Sequence, residues 1–159
     1  MKTPAIVTRR AVAADRAVLA GLLSDMQAHY GSPDPPGGAA EMARLTREGE
    51  RLPFALLAER DGAILGLATL NPMLFGGAFQ WMLFLKDLYV TKEARSLGIG
   101  RLLLKAMARI ALDENYCRID WTTDATNTGA QRLYDGLGVP RHDKCFYRLS
   151  GNDLEKFAT

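Results

Sequence analysis

The segment from Asp87 to Arg101 constrains the fold of this chain more than any other part of its sequence. It begins in an apolar strand pattern, continues through a basic turn of the form R-x-x-G-x-G, and enters an amphipathic helix pattern. Backbone N–H groups at such a turn and at a helix N-terminus attract anions, including phosphate groups. The order of strand, glycine turn and helix therefore predicts a pyrophosphate-binding site.

Two familiar phosphate-binding loops do not fit this turn. A P-loop needs Gly-Lys-Ser or Gly-Lys-Thr, and the sequence contains neither. The dinucleotide fingerprint G-x-G-x-x-G would require glycine at position 103, where the chain has Leu103. Taken alone, the turn also fits an ordinary loop-to-helix junction, so its ligand depends on the rest of the chain.

Apolar periodicity predicts a mixed sheet with helices on its faces. The expected strands cover 5–9, 54–60, 63–70, 79–90, 118–122 and 145–149. The expected helices run from about 14, over about 40–48, over 98–115, and from Thr126 or Asn127 to a stop at Gly138. Asp61 and Gly62 predict a tight hairpin turn. The class is α+β (or α/β), and residues 1–159 are expected to form one domain.

Composition excludes several classes of function. The net charge is +2 over 159 residues, with basic and acidic residues interspersed, so no nucleic-acid surface is expected. Cys117 and Cys145 show no metal-ligand spacing, which predicts no metal site, and both are expected to be small core residues. No apolar run approaches the ~20 residues of a membrane span, and the N-terminus lacks a signal core. These features predict a cytoplasmic protein.

A second motif, from Asn127 to Val139, reads N-x-x-A-x-x-L-Y-x-x-L-G-V. Alone, Asn127 suits a helix N-cap and Tyr134 suits helix packing. Both motifs together, separated by one strand, resemble the signatures of the GCN5-related N-acetyltransferase (GNAT) superfamily over nearly the whole chain, although Val139 stands where the family has phenylalanine. The chain looks most like the diamine (spermidine/spermine) acetyltransferase-like branch.

This resemblance implies a central mixed sheet of six to seven strands, flanked by about four helices, whose splayed central strands hold acyl-CoA. It implies acetyl-CoA as co-substrate and a homodimer. The unpaired backbone of Leu88, Tyr89 and Val90 would bind the pantetheine arm, which Asn127 and Ala130 would also contact. The pyrophosphate would lie on the turn, formed by Arg95, Ser96, Leu97, Gly98, Ile99, Gly100 and Arg101.

The implied reaction is acetyl transfer from a thioester to a primary amine through a tetrahedral intermediate. The amine must lose a proton, the oxyanion needs a donor such as the N–H of Leu88, and the leaving thiolate needs a proton. We assign the last role to Tyr134. Asp87 is the expected base or amine anchor. The alternative for Asp87 is a structural ion pair with Lys86 or Arg118.

The residues expected to contact the acceptor amine differ from those of the diamine acetyltransferase-like branch. Polyamine-binding members have glutamate where this chain has Lys86, and an ammonium there disfavours a polycation. An amine that also carries a carboxylate, such as an amino acid, fits better. His29 and Tyr30 are candidate substrate-binding residues, although a late histidine also suits the helix C-terminal carbonyls. Residues 31–38 are either a lid or a plain connection.

Two other functions stay open at this stage. A protein or peptide N-acetyltransferase would need an open groove that sequence does not reveal. A non-catalytic acyl-CoA-binding module would need no acid at position 134. Because Tyr134 and the glycine turn are both intact, we expect a small-molecule acetyltransferase.

Overall fold

The computed structural model describes residues 4–29, 31, 51–75 and 80–159. Their five strands form one mixed sheet in chain order: β1 (Val7–Arg10), β2 (Phe54–Arg60), β3 (Ala63–Phe75), β4 (Gln80–Val90) and β5 (Ile119–Trp121). The helices of the described residues are α1 (Arg16–His29), α2 (Ile99–Asp113), α3 (Thr128–Gly136) and α4 (Asn152–Ala158). The predicted α+β class is confirmed.

The direction of the strands changes at the β5 edge of the sheet. Strands β1 to β4 are antiparallel to their neighbours, whereas β5 runs parallel to β4. A parallel pair needs a crossover connection, and α2 supplies it between these two strands. The glycine turn therefore lies at the end of β4 and at the start of the crossover helix.

Two apolar clusters cover the two faces of the sheet. Helix α2 packs on one face through Leu103 and Met107, which contact a cluster that includes Leu83. Helix α1 packs on the other face through Leu19, in a cluster that includes Tyr89. Leu88 and Val90 pack against the α2 cluster. Successive β4 side chains thus alternate between the two faces, as in any strand.

The predicted hairpin between β2 and β3 is confirmed. Asp61 and Gly62 both have positive φ, 53° and 77°, as a tight primed turn requires. Strand β3 extends to Phe75 rather than to Leu70, because it stays paired with β4 from Gly66 to Phe75. The expected helix over 40–48, Tyr30 and residues 32–38 lie outside the described residues.

The expected count of six to seven strands is wrong for the described chain. Residues 145–149 form no strand, since none of them is paired to the sheet. Their side chains are exposed, and that of Tyr147 is 88% exposed. The expectation that the cysteines are core residues is also wrong, because Cys145 lies in this segment and Cys117 lies in an exposed turn before β5.

Among the described residues, no helix is long and apolar enough to cross a membrane. The same residues hold no cluster of three or more His, Cys, Asp or Glu side chains suited to a metal ion.

An ion-pair network fixes the N-terminal strand to the start of α1. The Arg9 guanidinium donates two hydrogen bonds to Asp15, at 2.6 and 2.9 Å, and one to Glu59 at 2.7 Å. Asp15 also accepts from the backbone N–H of Val12 at 2.7 Å. The hydrogen bonds from Arg9 hold the pKa of Asp15 below its ordinary value of 3.8. The stabilisation is present above that value and is lost as the pH falls through the lower folded-state pKa.

We expect Asp15→Asn to lower the free energy of unfolding by about 1–3 kcal/mol at neutral pH, since it breaks hydrogen bonds of a buried carboxylate. Urea unfolding as a function of pH measures this effect. The wild-type free energy should fall more steeply than that of the variant as the pH drops below about 4. Asp25→Asn, at an exposed position of α1, is the matched control. Parallel pH profiles for wild type and Asp15→Asn would contradict the assignment.

Candidate acyl-CoA site between strands β4 and β5

A gap opens between β4 and β5 halfway along β4. The two strands pair only over Leu83–Leu85 and Ile119–Trp121. Beyond this point β5 ends, whereas β4 continues to Val90 and remains paired with β3 on its other side. Among the described strands, none pairs with the other edge of the second half of β4. The divergence of the two strands agrees with the splay that the GNAT resemblance implies.

A bulge at Lys86 accompanies the gap. Leu85 pairs with Leu70 and Asp87 pairs with Thr69, so Lys86 is an extra residue in β4. A bulge bends its strand and increases the local twist. It lies directly after Leu85, where the pairing with β5 ends. The extra residue thus accounts physically for the divergence of the two strands.

The backbone of β4 presents alternate residues to this gap. Thr91 donates its N–H to the carbonyl of Leu65 at 2.9 Å. Since antiparallel partners alternate, Thr91 and Tyr89 direct their backbone groups toward β3, and Leu88 and Val90 direct theirs toward the gap. The expectation that all three residues from Leu88 to Val90 are unpaired is therefore wrong for Tyr89. The open N–H of Leu88 fits the expected oxyanion donor.

The glycine turn contains two residues in the left-handed conformation that is common in anion-binding nests. Ser96 and Gly98 both adopt left-handed conformations, with φ of 66° and 76°, and Arg95 is extended. Gly98 is also the N-cap of α2, and its carbonyl accepts from the N–H of Leu102 at 3.0 Å. Left-handed residues in such a turn bring N–H groups toward one point, beside the positive end of the helix. The turn is exposed from Arg95 to Gly98.

Two glycines around the turn serve packing. A Cβ atom on Gly100 would lie 3.1 Å from Cδ2 of Leu133, so its absence lets α3 approach the first turn of α2. A Cβ atom on Gly66 would lie 2.7 Å from the carbonyl oxygen of Tyr89 and 3.1 Å from Cγ2 of Ile99. The Ile99 side chain is buried, so only its backbone can contact a ligand. These contacts at Gly100 and Gly66 could not be predicted from the sequence.

Tyr134 lies on the α2 side of the gap. Its ring makes an edge-to-face contact with Trp121, the last residue of β5, at a centroid distance of 5.2 Å. Both rings are partly buried against the α2 cluster. Asn127 is the N-cap of α3, as one reading of the sequence predicted, because its Oδ1 accepts from the N–H of Ala130 at 3.1 Å. Because Oδ1 makes this hydrogen bond, the side-chain amide nitrogen of Asn127 is the group that can contact a ligand.

Asp87 lies on the opposite face from Tyr134. It is two residues before Tyr89, which belongs to the α1 cluster, so both side chains point to the α1 face. Its Oδ2 accepts a hydrogen bond from Oγ1 of Thr69 at 2.5 Å. Arg118, one of its two expected structural partners, forms an ion pair with Asp120 at 3.0 Å. Thr69 is a site residue that the sequence did not reveal, because only the strand register brings it to Asp87.

The remaining acceptor-side candidates lie on or beside the α1 face. His29 is the last residue of α1, and its ring centroid lies 6.4 Å from that of Tyr89. Lys86 is exposed at the bulge, next to Asp87. The arrangement places a carboxylate and an ammonium at neighbouring positions where the gap begins.

The acetyltransferase (GNAT) family matches residues 19–139 of the chain, a range that includes both motifs, the bulge and the gap. The chain belongs to this family. The GNAT superfamily resemblance seen in the two motifs is thereby confirmed.

Curated GNAT relatives align over shorter ranges. Over 80 residues the chain is 31% identical to thialysine N-epsilon-acetyltransferase of Caenorhabditis elegans, covering 48% of this chain and 50% of the relative. Over 70 residues it is 34% identical to a D-amino-acid N-acetyltransferase of Saccharomyces cerevisiae, covering 44% and 43%. The chain thus spans about half of the length of these relatives.

Solved structures share the GNAT fold along nearly the whole chain. An integron cassette protein from the mobile metagenome of V. cholerae is 28% identical, with a TM-score of 0.80, and covers 96% of this chain and 97% of its own. An aminoglycoside N-acetyltransferase solved in complex with CoA has a TM-score of 0.78 at 18% identity, over 92% and 96% of the two chains. The latter similarity concerns the fold alone.

Proposed function

We propose that this chain is an acetyl-CoA-dependent N-acetyltransferase that acts, as one domain of residues 1–159, on the primary amine of a small molecule. The observation that carries the proposal is the gap after Leu85 and Trp121, with the N–H of Leu88 open toward it. Membership of the GNAT family and the left-handed residues Ser96 and Gly98 in the glycine turn support acetyl-CoA as the co-substrate. A cytoplasmic location and a homodimer remain predictions.

In the proposed site, binding and chemistry use different residues. The backbone from Ser96 to Arg101 binds the pyrophosphate, assisted by the charges of Arg95 and Arg101. Leu88 and Val90 hydrogen-bond the pantetheine arm as an added strand would. The amide of Asn127 contacts the same arm from α3, whose first turn begins at Thr128 and includes Ala130.

The acid and the base act from opposite faces of the sheet. Asp87, on the α1 face, takes a proton from the ammonium group of the acceptor, and the free amine attacks the thioester carbonyl carbon. The N–H of Leu88 donates to the resulting oxyanion. When the carbon–sulfur bond breaks, Tyr134 on the α2 face gives its proton to the thiolate, and the second proton lost by the attacking nitrogen restores the phenol. The acceptor therefore enters on the α1 face, where Thr69 orients Asp87.

The preferred acceptor is an amine that also carries a carboxylate. Asp87 attracts the ammonium group, and Lys86 at the bulge attracts the carboxylate. The names of the two curated relatives, which act on thialysine and on D-amino acids, are consistent with this class of substrate. A polyamine lacks the carboxylate and would bring a second positive charge close to Lys86.

We expect Lys86→Glu to change acceptor preference in favour of polyamines. Because Lys86 is exposed, one charge contact contributes about 0.5–1 kcal/mol, and reversing the charge doubles the effect. The ratio of kcat/KM for a D-amino acid to that for spermidine should therefore fall roughly tenfold. Steady-state release of free CoA with each acceptor measures the ratio.

Lys105→Glu is the matched control for this substitution. It makes the same charge change at an exposed position of α2 and should leave the acceptor ratio unchanged. Equal ratios for wild type and Lys86→Glu would refute the role of Lys86. Efficient turnover of spermidine by the wild type, with none of amino acids, would refute the proposed substrate class.

A further inference from the structure

Lys86 presents an unpaired ammonium group at the start of the gap between β4 and β5. Its side chain is exposed, and it makes no hydrogen bond or ion pair with any residue that the structure describes. The neighbouring carboxylate of Asp87 accepts from Oγ1 of Thr69 instead, at 2.5 Å. A primary amine thus lies beside the proposed base without a partner of its own.

The bulge interrupts the regular alternation of side chains at Lys86. Leu85 packs on the α2 face, whereas Asp87 lies on the α1 face with Tyr89. In a regular strand, two residues so spaced would share a face, so the side-chain direction switches at Lys86. Leu85 is also the last residue of β4 that pairs with β5. Lys86 therefore begins the edge of β4 along which no described strand lies.

The same edge carries the groups proposed for acetyl transfer. Leu88, whose N–H is the proposed oxyanion donor, lies two residues beyond Lys86, or about 6.6 Å along a strand. The lysine side chain has five bonds between Cα and Nζ and spans about 6 Å when extended. An oxyanion bound to Leu88 would lie about 3 Å from the donor nitrogen. The Lys86 amine can therefore reach the carbonyl group of a bound thioester.

We propose that the chain acetylates its own Lys86, an inference that rests on the acetyl-CoA site proposed above. Asp87 takes one proton from the Lys86 ammonium group and releases it to water. The neutral Nζ forms a bond to the thioester carbonyl carbon, and the carbon–sulfur bond breaks. Tyr134 protonates the thiolate, and the second proton lost by Nζ restores the phenol. The products are an amide on Lys86, free CoA and one proton.

Self-acetylation competes with transfer to an external amine. The tethered amine has a high effective concentration at the thioester, which favours its reaction when no acceptor is bound. A bound acceptor that carries a carboxylate pairs with the Lys86 ammonium and occupies its place beside Asp87. Acetylation removes the positive charge of Lys86, so the modified enzyme loses its attraction for that carboxylate. The modification thus changes which acceptors the enzyme prefers.

Peptide mass spectrometry after incubation with deuterated acetyl-CoA, without any amine, tests the modification. Lys144 is the matched internal control, since it is exposed and also follows a carboxylate, Asp143, but lies outside the gap. We expect Lys86 to gain heavy acetyl groups at least about tenfold faster than Lys144. Asp87→Asn should slow the labelling of Lys86 about 100-fold and leave that of Lys144 unchanged.

Isotope mixing tests whether the reaction stays within one chain. Isotopically heavy Asp87→Asn chains, which should not modify themselves, are mixed with light wild-type chains and deuterated acetyl-CoA. We expect acetylated Lys86 in the light chains alone, with a rate constant that does not depend on protein concentration.

The effect on acceptor preference is measured after preincubation with acetyl-CoA. The ratio of kcat/KM for a D-amino acid to that for spermidine should fall roughly threefold, since one exposed charge contact is removed rather than reversed. Lys86→Arg keeps the positive charge but forms no amide with the acetyl group. Preincubation should therefore leave the ratio of this variant unchanged.

Three results would overturn the proposal: an unlabelled Lys86, equal labelling of Lys86 and Lys144, or acetylated Lys86 in the heavy chains. A parallel reaction with a D-amino acid separates this failure from a failure of the proposed function. An acetylated amino acid beside an unlabelled Lys86 refutes self-acetylation alone. A labelled Lys86 without any acetylated amine supports self-acetylation and refutes transfer to small molecules. Absence of both products refutes both proposals.

Discussion

Tyr134→Phe is expected to lower kcat about 100-fold while leaving the Kd for acetyl-CoA nearly unchanged. The substitution removes the phenolic proton that we assign to the leaving thiolate. It keeps the ring, so the edge-to-face contact with Trp121 is retained. A loss confined to kcat and kcat/KM indicates a group that acts in the transition state. Steady-state kinetics and calorimetric titration of acetyl-CoA measure the two quantities.

Tyr116→Phe is the control for the loss of a tyrosine hydroxyl. Tyr116 is buried and its ring contacts the Arg51 guanidinium, on a part of the chain outside the proposed site. This variant should keep its kcat. If Tyr134→Phe also kept its kcat, Tyr134 would be a packing residue of α3, the alternative that its sequence position allowed.

Asp87→Asn is expected to reduce kcat/KM about 100-fold, the usual range for loss of a general base. The amide oxygen can still accept the hydrogen bond from Thr69, so the local packing should persist. If Asp87 is the base, kcat falls. If it is only the anchor of the ammonium group, the KM for the amine rises and kcat is retained. The two roles of Asp87 are thereby separated in one experiment.

Thr69→Val and Asp113→Asn complete this series. Thr69→Val removes the hydrogen bond to Asp87 without removing the carboxylate, so its effect should be smaller than that of Asp87→Asn. Asp113→Asn, at the exposed end of α2, removes a carboxylate away from the gap and should have no effect. Wild-type kinetics for Asp87→Asn would mean that Asp87 serves structure alone.

Local sequence patterns correctly predicted the turns and helices whose conformation depends on residues close together in the chain. Asp61 and Gly62 form the expected hairpin because the turn needs positive φ at both positions, and glycine and aspartate tolerate it. Gly98 ends the turn before α2 because this position also needs a positive φ, which glycine tolerates. The apolar spacing of α2 predicted the burial of Ile99 and Leu103. These features depend on neighbouring residues only.

Features that depend on strand register could not be read from the sequence. The bulge at Lys86 exists only relative to Thr69 and Leu70 on β3, which lie far away in the chain. The alternation that turns Leu88, but not Tyr89, toward the gap follows from the same pairing. Serine is not a residue type that indicates a left-handed conformation, so the positive φ of Ser96 could not be predicted from the sequence.

The predicted strand over 145–149 shows that apolar periodicity alone does not establish strand pairing. Alternating apolar residues encode a strand that needs a partner, but they do not say which edge supplies it. In the single chain, no described strand pairs with this segment.

The most direct test of the proposed function is a product assay with acetyl-CoA and a panel of amines. The panel contains thialysine, D-amino acids, spermidine, an aminoglycoside and a peptide amine, and mass spectrometry detects the acetylated product beside released CoA. We expect acetylated amino acids or thialysine, at rates well above those for spermidine and the peptide. Tight binding of acetyl-CoA without transfer to any amine would contradict the account and indicate a non-catalytic acyl-CoA-binding module.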